Sequence, residues 1–258
     1  MARATRKPTT LAFRLGEHPF AKSVFSENAT VLKAAYASGK AMDIGSKPVR
    51  DLTEAEWYVR SCGFALAHLL GLLQQLAQIP GYITQYRRTD ALAARSVTRA
   101  SDVTYHLENF LVRTQSLQDR ALQLCSAVMH TGLDLRDVSY VRMIRNARVQ
   151  STGLDVPLKA INGLCQKYSQ TRNQVVHQHG LLDGELRRVE LILMGSRVVN
   201  HEKRGAMASS YRYLVQDLAS RKTAEFDEFT RSAISSVDQL FGALAPQYSR
   251  MKARLTVL

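Results

Sequence analysis

Apolar residues recur every three or four positions through most of this chain, which is the spacing of one face of an α-helix. The clearest example runs from residue 101 to residue 132. A second apolar stretch opens with a capping box at Thr53-Glu54-Ala55-Glu56 and ends at the helix breakers Pro80-Gly81. The pattern predicts helices over residues 27–42, 53–79, 101–132, 138–147 and 156–181, followed by a helix pair over 209–245 that Pro246 interrupts.

These elements predict an all-α protein, an up-and-down helical bundle of about five or six helices. One segment differs: residues 185–200 are rich in β-branched side chains and partly alternate, so we predict a small β-hairpin there. Residues 1–25 lack the helical pattern and are predicted to form a flexible basic arm. Residues 26–100 are predicted to be a helical extension packed on the main helical domain at 101–250.

Composition is that of an ordered globular protein, since 45% of the 258 residues are hydrophobic and 7% are aromatic. No stretch is predicted to be long and apolar enough for a membrane helix, and no apolar signal core follows the basic N-terminus. The three cysteines, at positions 62, 125 and 165, lie in apolar patterns and indicate buried free thiols. We therefore expect a cytoplasmic protein with no membrane partner.

The charge balance points to an anionic partner. The chain has 35 Lys and Arg against 22 Asp and Glu, a formal net charge of +13. The positive charges are spread along the chain, which suits a broad field that attracts RNA. We take Arg142, Arg145 and Arg148 as candidate RNA-binding residues. The alternative is a set of solvated basic faces without a nucleic-acid ligand.

The residues that suggest a specific chemistry lie in the run Tyr168-Ser169-Gln170-Thr171-Arg172-Asn173-Gln174-Val175-Val176-His177. An Arg, an adjacent Asn and a His five positions after the Arg stand in one predicted helix. A bare Arg-to-His spacing of this kind is expected about twice by chance in so basic a chain. Three matches occur, because Arg172 with His179 and Arg99 with His106 also fit the spacing. Only Arg172 and His177 have the Asn directly after the Arg and lie within one predicted helix. The remaining pair is Arg99 and His106. We interpret that pair as accidental, because Ser101-Asp102 is predicted to cap a helix between the two residues.

The spacing R-N-x-x-x-H resembles the signature of the HEPN superfamily, helical domains many of which are ribonucleases. The resemblance covers about residues 100–245. It implies an endoribonuclease similar to prokaryotic toxin and defence nucleases, and an active cleft between two motif helices. RNA carries its own nucleophile, the 2′-hydroxyl, so such an enzyme needs a proton-transfer group and a cation at the phosphate. We assign His177 as general base or acid, Arg172 as phosphate clamp and Asn173 as the orienting residue.

Helix geometry favours a homodimer. At 100° per residue, Asn173 and His177 form an i,i+4 pair, whereas Arg172 lies about 140° from His177 around the axis. One helix therefore does not bring the Arg and the His to the same phosphate, but two copies at a symmetric interface could. The expected partners are RNA, a second copy of the chain, and an antitoxin or regulatory protein. No cofactor and no metal are expected.

Two further functions stay open. The chain could be a non-catalytic HEPN-like module that binds RNA or a protein, or a structural helical oligomer stabilised by the Arg and the His. Of the remaining candidates, His179 projects onto the apolar stripe of the motif helix and is interpreted as a packed core residue. The acidic cluster at Glu225, Asp227 and Glu228 is interpreted as a solvated face.

Overall fold

The computed structural model describes residues 11–37, 52–87, 89–177 and 201–257, together with residues 188, 189, 191, 192, 194 and 195. Every regular element in these ranges is helical, which confirms the predicted all-α helical bundle. The helices are α1 (Leu11–Gly16), α2 (Pro19–Ala37), α3 (Glu54–Thr84), α4 (Asp90–Ala94), α5 (Arg99–Val128), α6 (Tyr140–Arg145), α7 (Ala147–Ser151), α8 (Asp155–Gln166), α9 (Ser169–His177) and α10 (His201–Thr256).

The predicted β-hairpin over 185–200 is wrong at each residue of that segment that the structure describes, because these residues are helical. Val189 is buried, whereas Leu191 and Met194 are exposed. Side chains without a branch at Cβ, such as Leu and Met, favour helix, and here they outweigh the β-branched neighbours. The rest of the segment lies outside the described residues.

Two helices continue through a proline at which the sequence predicted an end. Pro80 lies inside α3, and Pro246 lies inside the 56-residue helix α10, which replaces the predicted pair. A proline in a helix interior removes one backbone hydrogen bond and costs about 3 kcal/mol. Burial beyond each proline offsets this cost: Ile83 follows the first and Tyr248 follows the second, and both are buried.

The N-terminal segment also differs from its prediction. Residues 11–16 and 19–37 form α1 and α2, so the irregular arm predicted for residues 1–25 is wrong over this part. Leu15, Phe20 and Val24 are buried, which shows that both helices pack on a core. Residues 1–10 lie outside the described part of the chain. The division into an extension and a main domain at residue 100 stays a prediction.

The helices form two compact units. The first contains the described residues up to Gln74, Ser116–Leu164 and the described residues from Ser232 onward. Its core includes a stack of Tyr58 on Tyr248, with ring centroids 5.6 Å apart. The Tyr58 hydroxyl donates to the Val128 carbonyl at 2.9 Å, so α3, α5 and α10 are joined by one buried hydrogen bond and one aromatic contact.

The capping box at the start of α3 is confirmed. The Glu56 N–H donates to Thr53 Oγ1 at 3.2 Å, and the Thr53 N–H donates to Glu56 Oε2 at 2.8 Å. Reciprocal bonds of this kind satisfy two of the backbone donors that a helix N-terminus leaves unpaired. The local sequence is therefore sufficient to fix the beginning of this helix.

The second unit contains Gln75–Gln115 and the described residues between Cys165 and Arg231. Its core is aromatic: Phe110 of α5 stacks on Phe226 of α10 at a centroid distance of 3.6 Å and contacts Phe229 edge-on at 5.2 Å. Aromatic pairs of this kind stabilise a protein by about 0.5–1.5 kcal/mol beyond the contribution from burying their surface. This core carries the motif helix α9.

Helix α3 is long and apolar enough to cross a membrane by length and composition, so the prediction that no such stretch exists is wrong in that respect. The core helix of a globular protein meets the same test. Leu66, Leu69 and Leu73 of this helix are fully buried inside the protein, which fits a central core helix.

The cysteines are buried free thiols, as predicted. Cys62, Cys125 and Cys165 form no disulfide and are at most 1% exposed. Burial raises the pKa of Cys62 and of Cys125 to about 12, so both thiols stay protonated at neutral pH.

Candidate active site

The predicted motif helix is divided in two, and the break lies just before the motif. Helix α8 ends at Gln166, a turn follows, and α9 begins at Ser169. Ser169 Oγ donates to the Gln166 carbonyl at 2.9 Å, and the Tyr168 N–H donates to the Cys165 carbonyl at 3.1 Å. These bonds use carbonyls that a continuous helix would offer to later N–H groups. The single helix predicted over 156–181 is therefore wrong at this point.

Tyr168 anchors the start of α9. Its carbonyl accepts the Arg172 N–H at 2.8 Å, and its ring contacts Phe110 and Phe229 edge-on, each at a centroid distance of 5.5 Å. Its hydroxyl donates to Glu225 Oε1 at 2.9 Å. Burial and the hydrogen bond to this carboxylate raise the pKa of Tyr168, so the hydroxyl remains a donor at neutral pH.

Glu225 completes the anchor from α10. Its second oxygen accepts Lys222 Nζ at 2.9 Å, so one carboxylate holds both Tyr168 and a lysine. The interpretation of Glu225 as part of a solvated face is therefore wrong. The i,i+3 spacing of Lys222 and Glu225 is a sequence signal for their ion pair. No local signal identifies Tyr168 as a partner, because 57 positions separate it from Glu225.

The structure brings Arg172 and Asn173 together. Arg172 Nη1 donates to Asn173 Oδ1 at 3.1 Å. Arg172 Nε is buried and has no hydrogen-bond partner among the described residues. A buried N–H of a charged group is costly to leave unpaired. The arginine as a whole is half-buried, and the planar donor geometry of a guanidinium matches a phosphate. Asn173 thus orients the guanidinium directly, and its orienting role toward His177 stays a prediction.

His177 lies on the same helix as the other two motif residues. Helix α9 spans Ser169–His177, which places position 177 one turn after Asn173 and about 140° around the axis from Arg172. For His177, the structure describes the backbone only. His179, the predicted core histidine, lies outside the described residues.

The three candidate RNA-binding arginines lie in the first unit and have different surroundings. Arg142 of α6 is held by Asp137, with Nη1 2.7 Å from the carboxylate. Arg145, also in α6, is exposed. Arg148 of α7 is exposed as well and lines a cleft with Arg250 and Arg254.

The prediction that a helix begins between Arg99 and His106 is wrong, because both residues lie in α5. The cap is Thr98, whose Oγ1 accepts the Ser101 N–H at 3.1 Å. Arg99 donates to Asp102 at 2.9 Å and to the Ile83 carbonyl. These acceptors, with the Tyr86 ring 5.1 Å from the guanidinium, leave Arg99 engaged in holding the helix start.

His106 belongs to the same cluster. Its ring stacks on Tyr82 at a centroid distance of 5.5 Å, and its Nε2 lies 3.6 Å from Asp102. Burial lowers the pKa of His106, while Asp102 opposes this shift and Arg99 adds to it. Arg99 and His106 therefore act as a packing cluster in the second unit. Among the described residues, no group of three His, Cys, Asp or Glu side chains could hold a metal ion.

Comparison with known proteins shows which family the chain belongs to. The model of the HEPN_Cthe2314-like HEPN family matches residues 68–241, more than half of the chain. The chain belongs to this family. The match confirms the predicted HEPN membership and begins earlier than residue 100, since it includes part of α3 as well as α5 and α9. No curated protein and no solved structure matched the chain.

Proposed function

We propose that this HEPN protein is a metal-independent endoribonuclease of the cytoplasm, similar to toxin and defence nucleases, which acts as a homodimer. The observation that carries the proposal is the state of Arg172. In a HEPN domain, on the helix that also bears His177, this half-buried arginine is oriented by Asn173, and its Nε has no hydrogen-bond partner among the described residues. Such a group is suited to bind a phosphate oxygen.

The chemistry follows from the residue types. His177 takes the proton from the RNA 2′-hydroxyl, or gives one to the leaving 5′-oxygen, because an imidazole titrates near neutral pH. The 2′-oxygen attacks the adjacent phosphorus, and the bond from phosphorus to the 5′-oxygen breaks. Arg172 stabilises the negative charge that builds on the phosphate oxygens. The products are a 2′,3′-cyclic phosphate and a 5′-hydroxyl, so no water is consumed in this step.

A homodimer supplies the geometry that one helix lacks. Arg172 and His177 lie about 140° apart around the axis of α9, so a single helix directs them to different sides. A two-fold contact between copies of α9 would place the Arg of one copy opposite the His of the other. HEPN domains commonly bind RNA and dimerise, which agrees with the net charge of +13.

The test compares RNA cleavage by the wild type with cleavage by Arg172→Ala and His177→Ala, with a chelator present throughout. Removing either group is expected to lower the rate by at least about 100-fold, the usual scale for one proton-transfer or charge-stabilising group. The matched controls are Arg231→Ala and His68→Ala, at exposed positions of α10 and α3, and both are expected to cleave at the wild-type rate.

The product ends give a second readout, because the mechanism leaves a 2′,3′-cyclic phosphate and cannot act on a strand with 2′-O-methyl groups. Unchanged cleavage by both motif variants, or cleavage of the methylated strand, would reject the assignment. Salt-dependent RNA binding without any turnover would instead favour a non-catalytic RNA-binding HEPN module.

A further inference from the structure

A cleft of about 250 Å³ lies in the first unit, away in sequence from the motif. Three helices line it: the C-terminal end of α5, the short helix α7, and the last turns of α10. The residues that line it are three arginines, three polar side chains without charge and three apolar side chains. These are Arg148, Arg250 and Arg254; Ser151, Thr152 and Gln247; and Val128, Met129 and Met251.

The arginines leave the cleft strongly positive. No carboxylate is among the described residues that line it, and none of the three arginines forms an ion pair with a described carboxylate. The nearby Lys252 shows the contrast, because it is paired with Glu27 at 2.8 Å. Three guanidinium groups that face one small cleft without an acid repel one another. An anion in the cleft relieves this repulsion.

Helix ends explain only part of this arrangement. Arg254 and Arg148 lie in the last turns of α10 and α7, where a cation is favoured by the helix dipole. Arg250 lies further from the end of α10 than that effect reaches. The helix dipole also gives no reason for the arginines of two different helices to share one cleft.

The polar side chains of the cleft indicate which hydrogen-bonding groups an anionic ligand would carry. Ser151 Oγ donates to the Arg148 carbonyl at 3.0 Å, and Thr152 Oγ1 lies 2.9 Å from the carbonyls of both Arg148 and Val149. Each hydroxyl thus uses its proton within the chain and offers lone pairs to a ligand. Gln247 Oε1 is likewise an acceptor, 3.5 Å from Arg250 Nη1. The cleft therefore presents donors for a phosphate and acceptors for groups such as ribose hydroxyls and base amino groups.

The apolar part of the cleft suits the face of a base. Val128 and Met129 are buried, and Met251 is partly exposed beside them. Methionine sulfur makes favourable contacts with aromatic rings. A volume of about 250 Å³ lies just below that of drug-sized ligand pockets, about 300–1,000 Å³. A single nucleotide unit is therefore the size of ligand that fits.

We propose that this arginine cleft binds one nucleotide unit, with its phosphate held by Arg148, Arg250 and Arg254 and its base against the methionine and valine floor. This goes beyond the proposed function, because the cleft contains no group that would cleave RNA and binding does not require cleavage. The nucleotide can come from a single RNA strand or from a free mononucleotide. Both present the same phosphate and base chemistry.

The experiment measures binding of a fluorescein-labelled ten-nucleotide RNA strand in which every ribose is 2′-O-methylated, so that the protein cannot cleave the probe. Fluorescence anisotropy gives Kd for the wild type and for the double variant R250Q/R254Q. The matched control is R14Q/R136Q, which removes two charges from the same unit at exposed positions that do not line the cleft. All four arginines are exposed, and circular dichroism verifies that each variant is folded.

The cleft variant is expected to raise Kd at least tenfold, since charge-assisted hydrogen bonds to phosphate are lost, while the control changes Kd by less than about threefold. The cleft variant should also lower the salt dependence of log K by up to about 0.7, the value for one single-strand phosphate contact. Equal weakening in the two variants would show a diffuse basic surface and overturn the proposal. So would an unchanged Kd in the cleft variant.

Competition identifies the source of the nucleotide. If AMP displaces the strand at a concentration near the strand's own Kd, a free mononucleotide is the ligand; if AMP is more than 100-fold weaker, the ligand is a strand. Displacement by inorganic phosphate as effective as by AMP would overturn the assignment of the floor to a base. Strand binding by a chain that cleaves no RNA would reject the proposed function and leave this proposal in place.

Discussion

Tyr168 lies just outside the motif, but its contacts hold the motif helix in place. Its backbone starts α9, its ring packs between Phe110 and Phe229, and its hydroxyl reaches Glu225. It thereby fixes the position of Arg172, one helical turn later. A candidate phosphate-binding arginine held in this way is pre-organised, so little ordering would remain to be done on binding a phosphate.

Replacing Tyr168 with Phe isolates the hydroxyl. The aromatic packing is kept, but Glu225 loses one charge-assisted hydrogen bond. We expect the free energy of unfolding to fall by about 1 kcal/mol, below the usual range of about 1.5–3 kcal/mol for bonds to charged groups, because the carboxylate is partly exposed. Urea denaturation measures this change. Tyr213→Phe is the control, because Tyr213 of α10 is 71% exposed and its loss should change nothing measurable. Equal stability of wild type and Y168F would show that the anchor is aromatic packing alone.

At the scale of the helices, local signals fix beginnings better than ends. The Thr53 to Glu56 capping box starts α3 as the sequence predicts, because both partners are three residues apart. The sequence predicts helix ends at Pro80 and Pro246, because a proline in a helix interior is destabilising. Both helices continue, however, because residues beyond each proline are buried by distant parts of the chain. The break before α9 has the same origin, since the partners that bury Tyr168 come from α5 and α10.

The candidate site divides in a similar way. The motif residues themselves could be found from sequence, because Arg172, Asn173 and His177 form a short pattern with a recognisable chemistry. The contacts that orient them could not, because Glu225 and Phe110 are far from the motif in sequence. The same holds for the arginine cleft, in which Arg148 is about a hundred positions from Arg250. Only folding brings these two arginines to one surface.

Pro246 offers a direct test of the helix argument. Its position in α10 is exposed, so Pro246→Ala removes little packing and restores one backbone hydrogen bond. We expect the free energy of unfolding to rise by about 1–3 kcal/mol, up to the usual cost of an interior proline. Gly242→Ala on the same helix calibrates the scale: a Cβ there meets no neighbour, and the expected gain is about 0.5–1 kcal/mol. A loss of stability in P246A would mean that the proline shapes a bend that the fold requires.

The pairing of α2 with α10 predicts sensitivity to acid. Burial raises the pKa of Glu27, but hydrogen bonds from Lys252 and Tyr248 outweigh this, and the net pKa lies below its ordinary value of 4.5. A lowered carboxylate pKa contributes stability that is present above pH 4.5 and is lost as the pH falls through the lowered value. In Glu27→Gln, thermal melting at neutral pH should show a loss of about 1 kcal/mol. Its melting temperature should then fall less steeply than that of the wild type below pH 4.5. Parallel acid profiles would contradict this role of Glu27.

For the whole molecule, the central question is whether Arg172 and His177 act within one chain or between two. The proposed homodimer puts this action between chains, because α9 turns the two residues about 140° apart. Each single variant, R172A or H177A, then lacks one component of both sites in its homodimer. A mixed dimer of the two variants, however, holds one intact Arg and one intact His on opposite chains.

Mixing the two inactive variants therefore tests the assembly directly. After the proteins are unfolded and refolded together, random pairing makes about half of the dimers mixed, each with one complete site out of two. We expect about a quarter of the wild-type cleavage rate to return, while either variant refolded alone stays inactive. If both residues acted within one chain, no chain in the mixture would hold the pair, and no activity would return. Refolded wild type sets the reference rate, and light scattering verifies that the mixture is dimeric, so that an absence of activity in a properly assembled mixture counts against the shared site.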